Sequence, residues 1–226
     1  MEFRPFPKIP RLSRECVITE KIDGTNASIY IEQVISDKII PVLDGPSGMP
    51  FRILAASRTR FITPSDDNFG FAAWVQDHEL ELLELGPGHH FGEWWGKGIQ
   101  RGYNQIERKF SLFNTAKWSD AGVRPACCGV VPVLHTGVFD SPVIEAVLED
   151  LKITGSKAAP GYPYPEGVVV YHTAGNHLYK KTLDADGVPK NAVPKPKTPR
   201  PYNSDTTGRR KVNVGYITEK RANAQH

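Results

Sequence analysis

The sequence predicts an α+β domain built on antiparallel β-sheet, and three observations lead to this fold class. Many short apolar segments are separated by turn residues, a pattern typical of antiparallel strands. Only two segments carry the apolar spacing of three and four residues that indicates a helix. The 226 residues include ten Phe, eight Tyr and four Trp, which are enough for the core of one domain.

Strands are predicted along the chain up to residue 183. Residues 17–19 and 27–31 form two strands joined through a turn at 21–26, and alternation of apolar and polar side chains supports the second strand. Further strands are predicted at 39–43, 53–57, 89–95, 110–114, 129–134, 167–171 and 176–183. The last two are expected to close as a hairpin-like pair.

Two predicted helices interrupt these strands. In residues 69–85 the apolar side chains follow the helical spacing, and residue 67 or 68 lies near the start. The second helix, at 141–151, is predicted to have Ser141 as its N-cap and Pro142 at its first position. Many strands with two interrupting helices are typical of an α+β domain.

The net charge of +3 conceals an asymmetry along the chain. Residues 191–226 hold eight Lys and Arg against two Asp and Glu, so they carry +6 and the remainder carries −3. This segment is also rich in proline and poor in apolar residues, so we expect it to be loose. We predict a domain at 1–190 and a basic tail at 191–226, with no separate C-terminal domain. Binding of phosphates by the tail and a merely solvated terminus both agree with its charge.

Composition also excludes several classes of protein. No run of about 18 apolar residues is present, so no membrane span is expected. The first residues lack the apolar stretch of a secretory signal. Three cysteines, of which Cys127 and Cys128 are adjacent, suggest neither a zinc site nor a disulfide framework. These features predict a reduced, cytoplasmic protein, and a monomer is favoured.

The candidate chemistry begins with residues 20–26, Glu-Lys-Ile-Asp-Gly-Thr-Asn. Lys21 ends a predicted strand, beside a carboxylate and a glycine turn. A lysine normally has a pKa of about 10.4, so it acts as a nucleophile only when desolvation or a nearby cation frees the amine. An exposed lysine before an ordinary Asp-Gly turn would explain the same residues, so the choice depends on the other segments.

Two further segments supply groups that suit a nucleotide. Arg58 and Arg60 lie at a strand end, where paired donors can hold phosphates. Glu93 lies on an aromatic strand that runs into a glycine-rich loop, so it could accept hydrogen bonds from ribose hydroxyls. An unpaired buried carboxylate is costly, and this cost favours a role for Glu93.

The second half of the chain adds an aromatic surface, a carboxylate and two lysines. Phe110 and Phe113 offer a face for a purine, although an ordinary core strand explains them equally well. Glu166 starts a buried strand, which is a suitable position for holding a metal or its waters. Lys180 and Lys181 lie on the last strand, where they could neutralise an α-phosphate.

The order and spacing of these segments resemble the covalent nucleotidyltransferases, the superfamily of RNA ligases, DNA ligases and mRNA capping enzymes. The chain is most similar to the ATP-dependent RNA ligase group typified by the second RNA ligase of phage T4. The resemblance covers residues 16–183, and its most specific pieces are 20–26 and 91–100. It implies an ATP-grasp-like ligase adenylation domain, in which antiparallel sheets are flanked by helices.

The resemblance also implies a reaction, its cofactors and its substrates. The motif lysine attacks ATP to form lysyl-AMP, AMP moves to a 5′-phosphate, and a 3′-hydroxyl then seals the strand. Mg²⁺ or Mn²⁺ is needed because three phosphates and an amine must be brought together. The expected partners are RNA ends, nicked or single-stranded, and DNA-containing duplexes. The expected setting is the cytoplasm of a bacterium or a phage-infected host.

Roles in catalysis follow from the resemblance for five residues. Lys21 would be the nucleophile, and Asp23 would orient it or bind waters of the metal. Asn26 would contact the phosphate of the end being joined. Lys180 would contact the nucleotide phosphate, together with Lys181. The family motif alternates two lysines, whereas here the lysines are adjacent, so which of them meets the α-phosphate stays open.

The remaining candidates are implied to bind the nucleotide, the metal or the RNA. Glu20 would bind the adenine edge through neighbouring backbone groups, and Arg58 would contact phosphate or RNA. Glu93 would bind the ribose and Phe113, or Phe110 in its place, would stack on adenine. Glu166 would hold the metal with Asp23 and Glu93, through waters.

Other functions stay open at this point. A DNA ligase or a capping guanylyltransferase shares the lysine motif, but those enzymes usually carry Arg at the position of Asn26. The absence of an oligonucleotide-binding domain also counts against both. A catalytically silent nucleic-acid-binding protein on the same scaffold is a further alternative, and a protein-modifying adenylyltransferase is a third.

Overall fold

A computed structural model of the protein describes residues 1–34, 43–44 and 50–184. Its strands are β1 (Glu15–Lys21), β2 (Thr25–Gln33), β3 (Leu43–Asp44), β4 (Pro50–Ser57), β5 (Phe61–Ile62), β6 (Gly88–Gly96), β7 (Arg108–Leu112), β8 (Cys128–Val130), β9 (Val133–Val138), β10 (Gly167–His172) and β11 (His177–Thr182). Its α-helices are α1 (Phe71–Asp77), α2 (Glu79–Leu82), α3 (Thr115–Trp118) and α4 (Ser141–Thr154).

The strands form two sheets. Within the described ranges, the smaller sheet has the order β11-β10-β1-β9, and all its pairings are antiparallel. The larger sheet has the order β3-β4-β2-β6-β7-β8, with β5 paired to β4, and only the β7–β8 pairing is parallel. The α+β fold class with antiparallel-rich sheets is confirmed.

The connection between β1 and β2 differs from a hairpin. β1 pairs with β9 and β10, whereas β2 pairs with β4 and β6, so the turn after Lys21 carries the chain from the smaller sheet to the larger one. Local alternation predicts each strand but does not say which partner it has. The candidate motif therefore lies where the two sheets meet.

The helical segment at 69–85 is broken rather than continuous. Asp67 accepts hydrogen bonds from the backbone N–H groups of Ala72 and Ala73, and this caps the start of α1. At His78 the ring nitrogen Nδ1 lies 2.8 Å from the Trp74 carbonyl, while the His78 backbone N–H donates to Val75. The backbone hydrogen bond from His78 to Trp74 that a continuous α-helix would have is therefore missing, and α1 and α2 are separate helices.

Two other boundaries differ from the sequence prediction. The segment at 129–134 is split into β8 and β9, which belong to different sheets. Pro132 lies between them and has no N–H to continue a ladder. α4 begins at Ser141 with Asp140 as its N-cap, so Ser141 is not the cap, and the helix continues to Thr154 before Gly155 ends it.

Three groups of buried side chains hold these layers together. The largest packs α1, α2 and α3 against one face of the larger sheet, and the second packs α4 against the smaller sheet. The third joins β6 to the segments that follow β1, β6, β8 and α4, and its buried members are Ile22, Trp95, Tyr103, Val131, Ala159 and Tyr162. This third group supports the turn that contains the candidate lysine.

Some predictions concern residues that the structure does not describe. The strand at 39–43 reaches the described part only at its last residue, and the basic tail at 191–226 lies wholly outside it. The domain boundary at 190 therefore stays a prediction. None of the described helices is long and apolar enough to cross a membrane.

Candidate active site

Lys21 is the last residue of β1, and its amino group meets a carboxylate from a distant part of the chain. Lys21 Nζ lies 2.5 Å from Glu166 Oε2. The two side chains are 22% and 18% exposed, so the ion pair is largely shielded from water but still accessible to a ligand. The candidate nucleophile and the candidate metal-binding carboxylate are thus adjacent.

The register of the smaller sheet explains this contact. Lys21 is paired with Gly167 across β1 and β10, and Glu166 directly precedes Gly167. A Cβ atom at position 167 would lie 2.2 Å from the Lys181 carbonyl, so glycine is required for the close approach of β11. Burial raises the pKa of Glu166, and the hydrogen bond from Lys21 opposes that rise.

Glu93, on β6 of the larger sheet, lies close to Lys21 and Glu166. It is paired with Asn26 across β2 and β6, and its Oε1 accepts a hydrogen bond from Gly24 N over 3.1 Å. Burial raises the pKa of Glu93 to about 7, while Lys21 and the Gly24 N–H oppose the shift. Glu166 and Asp23 add smaller contributions in the raising direction. We call Lys21, Asp23, Glu93 and Glu166 the lysine cluster.

Gly24 lets the turn pass against β6. A Cβ atom there would lie 2.5 Å from the Trp94 carbonyl oxygen and 2.8 Å from Trp95 Cβ. Such distances are far below van der Waals contact, and the first involves backbone that cannot move aside easily. The glycine of the motif is therefore needed for close packing of the turn, which brings Lys21 towards Glu93.

Asp23 is held by an arginine that sequence reasoning did not identify. Arg101 Nε donates to Asp23 Oδ2 over 3.0 Å, and Nη2 donates to Asp184 Oδ2 over 2.7 Å. Nη1 donates to the carbonyls of Tyr164 and Pro165, over 3.1 and 3.2 Å. Arg101 therefore joins the turn after Lys21 to the residues directly before Glu166 and to the residues directly after β11.

Tyr103 is a second residue that the sequence did not reveal. Its hydroxyl accepts a hydrogen bond from the Asp23 backbone N–H over 2.8 Å, and burial raises the pKa of this phenol. The residue is fully buried and has φ of 49°, in the left-handed region. Arg101 and Tyr103 both follow the glycine-rich loop after Glu93, and that proximity is the only sequence signal that could have pointed to them.

The Glu20 side chain is buried, and its carboxylate is hydrogen-bonded within the protein. It is 1% exposed, and its carboxylate accepts hydrogen bonds from the Ser156 hydroxyl and from the backbone N–H groups of Lys157 and Ala158, over 2.6 to 2.8 Å. Its side chain is therefore committed to the loop after α4. Any contact of position 20 with adenine would have to come from the backbone, as the resemblance implies.

The two lysines of β11 point to opposite faces of the smaller sheet. Lys180 is paired with Val169 and shares a face with Thr19 and Lys21, since Thr19 is also paired with Val169. Lys181 is on the other face, and its amino group contacts the Glu145 carboxylate of α4. The sequence predicts a catalytic role for Lys181, but its side chain is directed away from the lysine cluster.

The aromatic candidates also differ from each other. Phe110 is completely buried against Phe71, with ring centroids 5.1 Å apart, so it offers no face to a ligand. Phe113 is 39% exposed, and its backbone N–H donates to the Phe91 carbonyl. It continues the side of the larger sheet that carries Ser111 and Glu93. Phe113 is therefore the available stacking residue of the pair.

Asn26 and Arg58 are each one residue from the last pairing of β2 with β4. Ala27 is paired with Ser57, Asn26 directly precedes Ala27, and Arg58 directly follows Ser57. Arg58 is exposed, and Asn26 is partly exposed beside Glu93. An amide, a guanidinium and a carboxylate thus border the same end of the sheet.

A direct metal cage is not formed by the described residues. No group of three or more His, Cys, Asp or Glu side chains among them is arranged to hold a metal ion. Asp23 and Glu166 instead make ion pairs with Arg101 and Lys21. However, Glu166 and Asp23 each raise the pKa of Glu93, so negative charge is concentrated where a divalent cation could be held through waters.

Taken together, the cluster combines a lysine amine, carboxylates of raised pKa and a nearby exposed aromatic ring. An amine next to a carboxylate can lose its proton to that carboxylate and then attack an electrophile. A second lysine on the same face can neutralise negative charge on the group attacked. The arrangement thus suits covalent transfer of a phosphate-containing group.

Comparison with known proteins identifies the family and the fold of the chain. Residues 14–183 match the family model described as RNA ligase, and the chain belongs to that family. No curated protein matches. Two structures of a Naegleria gruberi RNA ligase share the fold, each at 16% identity over 76% of this chain. One is a glutamate-to-alanine mutant with AMP and Mn, with a TM-score of 0.52. The other is an aspartate-to-alanine mutant in the apo state, with a TM-score of 0.50. The chain spans about half the length of these structures, 50% in both cases.

Proposed function

We propose that this chain is an ATP-dependent RNA ligase that joins a 3′-hydroxyl to a 5′-phosphate through a covalent lysyl-AMP. The observation that carries the proposal is the 2.5 Å contact between Lys21 Nζ and Glu166 Oε2, inside a partly buried cluster of carboxylates. Membership of the RNA ligase family supports the class of reaction. AMP and Mn in the Naegleria gruberi enzyme support an adenine nucleotide and a divalent metal here.

In the first step, Lys21 Nζ attacks the α-phosphorus of ATP. A nitrogen–phosphorus bond forms, the bond to the β-phosphate oxygen breaks, and pyrophosphate leaves. The attacking amine must first give up a proton, and Glu166 is the adjacent base. Because burial raises the pKa of Glu166, this carboxylate holds a proton more readily than an exposed glutamate would.

The nucleotide is bound by groups from both sheets. Glu93 accepts hydrogen bonds from the ribose hydroxyls, and Phe113 stacks on the adenine. Lys180 neutralises charge on the α-phosphate. Asp23, Glu93 and Glu166 would hold Mg²⁺ or Mn²⁺, and the bound cation would neutralise phosphate charge and favour departure of the leaving group.

Two further transfers complete the proposed reaction. An oxygen of the RNA 5′-phosphate attacks the AMP phosphorus, the nitrogen–phosphorus bond breaks, and Lys21 is regenerated. The 3′-hydroxyl then attacks the 5′-phosphorus, AMP leaves, and a phosphodiester bond forms. Asn26 and Arg58 contact the phosphate of the end being joined. The substrates are nicked or single-stranded RNA ends, with DNA-containing duplexes as a further class.

A sealing assay tests the proposal. The protein is incubated with ATP, Mg²⁺ and a nicked RNA duplex labelled at its 5′-phosphate, beside a nicked DNA duplex and a parallel reaction with GTP. We expect sealed RNA with ATP, no product with GTP, and no product from Lys21→Ala. Sealing only of DNA would favour a DNA ligase, and transfer only from GTP would favour a capping-type enzyme. Either result would contradict the proposal.

A further inference from the structure

Four rings lie together on one side of the larger sheet, beyond the lysine cluster. They belong to Tyr30 on β2, Phe61 on β5, and His89 and Phe91 on β6, and we call them the aromatic face. The ring centroids of Tyr30 and Phe61 are 6.2 Å apart, and those of Tyr30 and His89 are 5.6 Å apart. His89 and Phe91 are separated by 3.9 Å. The rings thus form one continuous surface.

Core packing does not account for this surface. The hydrophobic core uses the opposite side of the same strands, where Ala27, Ile29 and Ile31 of β2 are buried. Phe61 and Phe91 remain 57% and 49% exposed. Neighbouring exposed aromatic rings on a sheet are a common feature of ligand-binding surfaces rather than of a folded core.

The aromatic face continues the side of the sheet that carries the proposed nucleotide-binding residues. Phe91 is two residues before Glu93 on β6, so the two side chains share a face and are separated by about 7 Å along the strand. Phe91 also accepts the backbone hydrogen bond of Phe113. A polynucleotide strand that leaves the lysine cluster along this side would cross the four rings.

The charged groups near the aromatic face also suit a nucleic acid, and one of its rings is fixed by a hydrogen bond. The His89 ring is held by the Ser28 hydroxyl, with 2.9 Å between Nε2 and Oγ. Arg58 follows β4 at the same end of the sheet and can meet a phosphate. At the far end, Glu32 is paired with Arg52, so its negative charge is compensated. A phosphate backbone would therefore meet little uncompensated repulsion from these residues.

We infer that the aromatic face binds unpaired bases of the substrate strand by stacking, next to the end held at the lysine cluster. This inference rests on the proposed function and ranks its substrates: ends with unpaired nucleotides are bound more tightly than the fully paired ends of a nicked duplex. Every base has a flat π surface, so binding by stacking tolerates different sequences. Bases that are already paired and stacked within a duplex cannot lie on these rings.

Equilibrium binding of a fluorescein-labelled oligouridylate, measured by anisotropy without ATP, tests the inference. Phe61→Ala and Phe91→Ala are each expected to raise Kd about tenfold, the loss that follows from removing one stacked base. The ratio of variant to wild-type Kd should stay constant between about 50 and about 200 mM salt, because stacking neutralises no phosphate. Phe91→Trp should keep the wild-type affinity, because it retains a ring.

Two controls make the result specific. Phe6→Ala removes an exposed phenylalanine from the N-terminal segment, and its Kd should equal that of the wild type. A blunt, fully paired RNA duplex should bind the wild type and both alanine variants equally. Failure of the wild type to bind the oligouridylate, or Kd values of the two variants within about twofold of the wild type, would overturn the inference.

Lysyl-AMP formation by the wild-type protein is measured in parallel. If lysyl-AMP forms while the alanine variants bind the oligouridylate normally, the aromatic face is rejected and the proposed function stands. If lysyl-AMP does not form while the variants lose affinity, the aromatic face stands as a base-binding surface and the ligase proposal fails. The two failures are therefore distinguishable.

Discussion

Arg101 Nε donates to Asp23 Oδ2 over 3.0 Å, and the two residues are 78 positions apart in the chain. The same guanidinium donates to the Pro165 carbonyl, directly before Glu166. One side chain thereby links the turn that follows Lys21 to the residue that precedes Glu166. Because bidentate and multiple contacts of this kind depend on the planar guanidinium, lysine cannot replace arginine here.

Replacement of Arg101 should slow formation of lysyl-AMP without abolishing ATP binding. A displacement of about 1 Å at the reacting atoms costs about 100-fold in rate, and we expect a loss of this size for Arg101→Ala. Single-turnover labelling with ATP gives the rate, and ATP titration gives the affinity. Arg124→Ala is the matched control, since Arg124 also donates to two backbone carbonyls, those of Cys128 and Trp118. An equal loss of rate in both variants would reduce Arg101 to a general stabilising role.

Replacement of Lys180 should slow formation of lysyl-AMP much more than replacement of Lys181. Lys180→Ala removes the amino group on the face of Lys21 and should lower the rate of lysyl-AMP formation about 100-fold, the usual effect of losing one charge-stabilising donor. Lys181→Ala removes the contact with Glu145, on the face away from the lysine cluster, and the rate should stay within about threefold of the wild type. The reverse order of the two rates would show that the face assignment does not govern catalysis.

Stability should respond to the charge of Glu93. Its folded pKa of about 7 is above the ordinary value of 4.5. Stabilisation from the protonated form is therefore complete below about pH 4.5 and is lost as the pH rises through about 7. Glu93→Gln keeps an acceptor for Gly24 without the charge, so at pH 8 its free energy of unfolding should exceed that of the wild type by about 1–3 kcal/mol, allowing for solvent screening.

Urea unfolding at a series of pH values measures this difference. The gap between Glu93→Gln and the wild type should close towards pH 4.5, where both side chains are neutral in the folded state. Glu107→Gln, at an exposed position after the same loop, is the control for a general change of charge. A variant that is no more stable than the wild type at pH 8 would contradict the raised pKa.

The basic tail should matter for sealing and not for the first step. We expect deletion of residues 191–226 to leave self-adenylylation intact, because the lysine cluster lies in other segments. The deletion should weaken sealing and flatten the dependence of RNA affinity on salt, since eight basic residues are removed. Equal sealing by the truncated and full-length proteins at moderate salt would reject a role in RNA binding.

Much of the fold and of the cluster could be predicted from local patterns. Apolar runs that are bounded by turns predict a strand that ends near Lys21, a strand that contains Glu93 and a strand that begins near Glu166. In the structure β1 ends at Lys21, β6 contains Glu93, and β10 begins directly after Glu166. Alternation along β11 also separates Lys180 from Lys181 once the strand is known, although the sequence does not say which face meets the site.

The rest depends on contacts between distant residues. The Asp23–Gly24 turn has the sequence of a hairpin turn, yet it connects two sheets, because strand partners are set by packing and not by the turn alone. The burial of Glu20 depends on the loop at 156–158, and the role of Arg101 depends on Asp23 and Asp184. No local periodicity records such pairings, so the sequence offered no more than the position of Arg101 and Tyr103 after the glycine-rich loop.

The most direct test of the account is covalent labelling at Lys21. The protein is incubated with ATP labelled at the α-phosphate and with Mg²⁺ or Mn²⁺, then separated on a denaturing gel beside Lys21→Ala. We predict a labelled band for the wild type that is absent from the variant and is discharged when 5′-phosphorylated RNA is added. A folded wild-type protein that stays unlabelled with either metal, or a variant that still labels, would contradict a lysyl-AMP at Lys21.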